Sequence, residues 1–112
     1  MKNFMLLIRE DLDITTSRSE NEMQAEIQEY SRWVESLSAH GNYVSGDPLA
    51  SEGRLMTSET VHSDGPFIES KEAVTGYILL KAKDLDHAVQ LGKGCPVFRF
   101  GGKLEVRPVY AQ

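Results

Sequence analysis

Five consecutive apolar residues, Phe4 to Ile8, stand between polar flanks near the start of the chain. Such a run reads as a strand covered on both faces. From Asp11 to Arg18 the sequence is polar and rich in Thr and Ser, which reads as a loop. Ser19 followed three residues later by Glu22 is a capping-box pattern, so a helix starts there. Met23, Ile27, Tyr30, Val34 and Leu37 then recur at spacings of 4, 3, 4 and 3, one apolar stripe with Trp33 on its flank. Gly41, just past the last periodic residue, suits a helix-ending position that needs positive φ.

Beyond the helix, Asn42 to Ser45 reads as a short extended piece and Gly46-Asp47-Pro48 as a turn. Gly53 to His62 reads as a strand, with its alternation interrupted by polar residues. Thr75 to Ala82 is a clearer one, because Tyr77 and Leu79 alternate with Ile78 and Leu80. Asp84 is placed to cap a second helix whose Leu85, Ala88, Val89 and Gly92 share a face, and Gly92, Gly94 and Pro96 end it. Lys103 to Val109 alternates charged Lys103, Glu105 and Arg107 with Leu104 and Val106, a strand with one wet face. Pro108 confines its end to an edge.

The predicted order is β-α-β-β-α-β, an α+β chain whose four-stranded antiparallel sheet carries both helices on one face. Several strands are apolar on both faces, so the uncovered face is expected to pack against a second copy as a homodimer. A length of 112 residues suits one domain, 1–112, with one core.

Composition narrows the function classes. A net charge of −5, with the twelve Lys and Arg scattered, speaks against nucleic-acid binding. No apolar stretch approaches the roughly 20 residues of a membrane span, and the run at Phe4 is shorter than a secretory segment of about 7–15. The lone cysteine, Cys95, excludes an internal disulfide framework and suits a cytoplasmic location. No zinc motif, Walker loop or GxSxG occurs, and neither a metal nor a cofactor is expected.

The densest chemistry lies in Asp64-Gly65-Pro66-Phe67-Ile68-Glu69-Ser70-Lys71-Glu72. Asp-Gly-Pro is turn chemistry, and two carboxylates and an ammonium follow within four residues. Asp64 is read as satisfying its own turn and Phe67 as the anchor of the segment. For Glu69, Lys71 and Glu72, a solvated face, an ion-pair network at a dimer edge and contacts to a polar ligand all stand. The carboxylate spacing matches no known metal loop.

This segment, with Tyr30 and Trp33 on the first helix, Gly46-x-x-Leu49, Gly76-Tyr77 and the closing Glu105-Val106-Arg107-Pro108, resembles the YCII-related family in its DGPF-motif branch. The resemblance spans nearly the whole chain. It implies a ferredoxin-like subunit that pairs into a dimeric α/β barrel. Function in that family is largely unassigned; other branches carry a His–Asp pair proposed as an active site, and one relative is a dehydrochlorinase acting on an aromatic substrate. In this chain Tyr30 stands at the position of the histidine and Cys95, before Pro96, at that of the aspartate. Any reaction here therefore needs different groups.

Each candidate has a bland and a functional reading. Tyr30 is a core tyrosine or a hydroxyl that orients a ligand. Trp33 is packing or a ligand platform. Cys95 is an inert thiol or a thiolate stabilised by Lys93. His62, two residues before Asp64 on a strand, is a solvated strand end or half of a general-base pair. His40 suits the helix C-terminus, and His87 an exposed helix face. The catalytic candidates are thus His62, Asp64, Lys71 and Glu72, and the ligand-binding candidates Tyr30, Trp33 and Glu69. The function expected is binding or transformation of a small polar or aromatic molecule between sheet and helices, in the manner of a lyase or isomerase. The alternative is a non-catalytic accessory module that acts through protein partners.

Overall fold

The computed structural model describes residues 1–62 and 72–110, with the side chains of Thr16 and His62 left aside. The elements in chain order are β1 (Lys2–Asp11), α1 (Leu12–Thr16), α2 (Glu20–Ala39), β2 (Tyr43–Pro48), β3 (Leu55–Met56), β4 (Val61–His62), β5 (Glu72–Ala82), α3 (Leu85–Gly92), a 3₁₀ turn (Pro96–Phe100) and β6 (Lys103–Pro108). The main sheet has the order β2-β5-β1-β6, antiparallel at every junction. That α+β arrangement is compatible with a ferredoxin-like fold, with the first and third sheet strands at the centre. No helix among the described residues is long and apolar enough to cross a membrane.

In β1 the two-residue period separates Phe4, Leu6 and Ile8, all buried, from half-buried Met5, Leu7 and Arg9 on the opposite face. Leu6 lies opposite Ile78 of β5 and Val106 of β6. Trp33 and Leu37 from α2, Ala88 from α3 and Val97 from the 3₁₀ turn close the core over this face. Burying the largest of these side chains stabilises the fold by about 1.5–3 kcal/mol each before entropy is counted.

The helix that opens at Ser19 has its capping box in full: Ser19 Oγ accepts from the Glu22 amide at 3.2 Å, and Glu22 Oε1 accepts from the Ser19 amide at 3.0 Å. Its far end is closed by His40, whose Nδ1 lies 2.8 Å from the Ser36 carbonyl, and by Gly41 at φ +75°. The buried stripe is turned from the expected one. Met23 and Ile27 stay 50% and 55% exposed, whereas Trp33 is buried. Glu26, not Ile27, continues inward the series of Tyr30, Trp33 and Leu37.

Four further expectations are corrected. The polar stretch Asp11–Arg18 contains a short helix, α1, because Asp11 accepts from the Asp13 amide at 2.8 Å and Leu12 is buried. The second strand of the main sheet is β2, not Gly53–His62. Gly46, read as a turn residue, is instead a point of close approach: a Cβ there would lie 2.6 Å from Ile78 Cδ1 and 2.7 Å from the Tyr77 carbonyl. Gly53–His62 yields only the small β3–β4 hairpin, whose Leu55, Met56 and Val61 are exposed and find no core. His87 is half-buried, and its Nδ1 accepts from the Lys83 amide at 3.0 Å, so it closes the start of α3 together with Asp84.

Candidate functional site

The inward series of β1 does not stop at Ile8. Glu10 follows it onto the helix-covered face, where a carboxylate must find partners or pay desolvation in full. Both its oxygens are met: Thr75 Oγ1 donates to Oε1 at 2.5 Å and Arg18 Nη2 to Oε2 at 2.7 Å. Arg18 also donates through Nη1 to Glu26 Oε2 and lies over the Phe100 ring, 4.4 Å from its centroid. The three charged side chains keep only 7–12% of their surface in solvent. Nε of Arg18 has no hydrogen-bond partner among the described residues.

The electrostatics follow from that burial. Desolvation pushes the Glu26 carboxyl above its usual range; Arg18 opposes the shift and Glu10 adds to it. Burial works against the Arg18 charge, but its bonds and fields from Glu10 and Glu26 outweigh that, so its pKa rises.

One helical turn along α2 from Glu26, the Tyr30 hydroxyl meets Cys95 Sγ at 3.8 Å. Burial drives the phenol far above its usual range, and Cys95, Glu10 and Glu26 push the same way. Burial likewise raises the Cys95 thiol. The pair is therefore neutral around neutral pH, and the thiolate reading for Cys95 is overturned: Lys93 is exposed, while the sulfur is enclosed. Trp33 stands edge-on to Tyr30 at 6.3 Å and 63°, and its Nε1 donates to the Leu91 carbonyl at 3.2 Å. Its indole is a wall fixed between α2 and α3.

Outside this wall a groove of about 490 Å³ opens between α2 and the 3₁₀ turn. Trp33, Cys95 and Pro96 form part of its lining, and Glu29, Arg32, Lys93 and Arg99 bring charge to it. Arg99 Nη1 is paired with Glu29 Oε1; Glu29 Oε2 is buried without a partner among the described residues. A second groove, of about 330 Å³ between α3 and β6, is lined by Leu85, Val89, Phe98, Leu104 and Val106, with Lys93 at its border.

Of the residues singled out from sequence, Tyr30 and Trp33 come together here. Glu72 does not. It lies on the other sheet face, where its carboxylate accepts from Arg9 Nε at 2.8 Å and Lys103 Nζ at 3.2 Å, while Arg9 also reaches Glu105 at 3.3 Å. Those bonds from Arg9 and Lys103 hold the Glu72 carboxyl below its ordinary range. Asp64, Phe67, Glu69 and Lys71 lie outside the described residues, and of His62 only the backbone, in β4, is described. Among the described residues no group of three or more His, Cys, Asp or Glu is arranged to hold a metal ion.

Glu10, Arg18 and Glu26 escaped the sequence reading, although two signals were present. Glu10 extends the even-numbered series of β1, and Glu26 stands four residues before Tyr30 and seven before Trp33, on one helical face.

Compared with known proteins, the chain finds no match among curated proteins. The family model of the YCII-related domain matches residues 3–111, almost the full length. The chain belongs to the YCII-related family.

Proposed function

We propose that this chain binds a small polar or aromatic molecule in the groove between α2 and the 3₁₀ turn and promotes a lyase- or isomerase-like proton transfer on it. The groove itself carries the reading. On a chain of net charge −5, Arg32, Lys93 and Arg99 gather at one concavity whose wall is an indole. Tyr30 stands edge-on to that wall and meets Cys95 of the lining, and the Glu26 carboxyl lies one turn along α2 from it. Tyr30 supplies a neutral hydroxyl that donates to developing negative charge. Glu26, whose carboxyl burial raises above its usual range, is the nearest carboxyl group to Tyr30 along α2 and is proposed as the proton-transfer partner. His62, Asp64, Glu69 and Lys71 are proposed as further contacts; the ion pairs of Glu72 give that residue a structural task.

A thermal-shift screen against small acids, phenols and divalent ions tests the binding, since a ligand selective for the folded state raises Tm by mass action. An acid or phenol that raises Tm in the wild type and loses its effect in Arg32→Gln is the expected result. A flat response to every compound removes the reading.

Self-association belongs to the same proposal. Met5, Leu7, Tyr77 and Leu79 share the sheet face that no helix among the described residues covers and remain only half-buried in the single chain. A homodimer through this face, in the cytoplasm to which the single reduced cysteine suits the chain, is the arrangement we favour. Sedimentation that finds only monomer at micromolar concentration would remove it. The second functional reading, an accessory module without catalysis, draws on exposed Met23 and Ile27 of α2 as a partner surface. Capture of a partner that Met23→Lys abolishes, with no ligand in the screen, would favour it.

A further inference from the structure

The two grooves are neighbours with different chemistry. Lys93 and Phe98 line both, so the charged space between α2 and the 3₁₀ turn adjoins the apolar space between α3 and β6. In the charged part Arg99 is neutralised by Glu29, whereas Arg32 and Lys93 have no carboxylate partner among the described residues. In the apolar part Leu85, Val89 and Phe98 leave 45%, 40% and 49% of their surface in solvent while bordering a concavity. Single exposed apolar residues are ordinary; several around one groove, next to cations without a carboxylate partner among the described residues, describe a complementary shape.

We propose that the adjoining grooves bind an amphipathic carboxylate, its head group at Arg32 and Lys93 and its hydrocarbon or aryl part along Leu85, Val89, Phe98 and Leu104. This deepens the small-molecule reading above and rests on it. A monoanion fits better than a phosphate monoester, because the Glu29 carboxylate and the C-terminal end of α3 border the same space and repel a dianion more strongly. The apolar part contributes affinity in proportion to length, about fourfold per methylene buried.

Calorimetric titration of the full chain with octanoate, octanol, acetate and inorganic phosphate tests this. Octanoate is expected to bind saturably, with octanol, acetate and phosphate each much weaker. Val89→Gln, an uncharged change at a partly exposed helix position, is expected to weaken octanoate by about sixteenfold, the equivalent of two buried methylenes, without altering the acetate titration. Arg32→Gln with Lys93→Gln is expected to bring octanoate down to the level of octanol. Acetate or phosphate binding as tightly as octanoate overturns the inference but leaves a small-anion site standing. Octanol equal to octanoate overturns the assignment of the head group. If Val89→Gln instead converts a wild-type dimer to monomer, the apolar groove is covered by a second copy and the inference fails. Absence of binding by every probe removes this inference together with the reading it rests on.

Discussion

The hydroxyl of Tyr30 and the thiol of Cys95 lie 3.8 Å apart, across the seam where α2 meets the segment leading into the 3₁₀ turn. Two groups that ionise in solution are held here as a neutral pair, because burial raises both. The outcome is measurable. Cys95 should resist iodoacetamide in the native protein at mildly alkaline pH and react at the rate of a free thiol once unfolded. Fast native alkylation, followed by mass spectrometry, would contradict the enclosed neutral thiol.

Arg18 is the cation on which two buried carboxylates depend. Arg18→Met should cost about 3–5 kcal/mol, because Glu10 and Glu26 are left buried without their partner. Adding Glu10→Gln and Glu26→Gln to that variant should recover most of the loss. Urea denaturation of the single and triple variants checks both statements, and a single variant as stable as wild type would show the trio to be dispensable.

The raised Glu26 carboxyl sets a pH dependence of definite sign. Its folded-state pKa lies above the unfolded value, so the native state holds the proton over the interval between them. Stability therefore falls as pH rises through that interval, which begins at the ordinary carboxylate range. Glu26→Gln cannot titrate, so wild-type stability relative to this variant should decline from acid toward neutral pH. A difference that grows with pH would reverse the assignment.

Gly46 tests the packing of the edge strand. Gly46→Ala places a methyl against Ile78 Cδ1 and the Tyr77 carbonyl and should destabilise by about 1–3 kcal/mol, with the denaturation midpoint lowered and the m-value unchanged. An unchanged midpoint would mean that β2 gives way more readily than its contacts imply.

Several features were legible in the sequence because their causes are local. The Ser19–Glu22 box, Gly41 after α2 and Asp84 before α3 each act through the backbone of neighbouring residues, and each stands where its spacing put it. The alternation through Phe4, Leu6 and Ile8 identified a central strand for the same reason. Gly46 was misread because a glycine at a turn and a glycine at a close approach look alike until the neighbouring strand is known. The Asp64–Glu72 segment drew notice by its density of charge, yet its last member, Glu72, serves the sheet face opposite to Tyr30.

By itself, then, the sequence determined the main helices with their caps, the central strands and the family, since periodicity, capping and motif are properties of nearby residues. Only the tertiary structure decided which charges meet. Glu10 and Thr75 are 65 positions apart, as are Tyr30 and Cys95, and Arg9 and Glu72 are separated by 63. The pleat that turns Arg9 to one face and Glu10 to the other assigns these neighbours to different networks. What a carboxylate or a thiol can do depends on its burial and its partners, and both are set by pairing across the sheet.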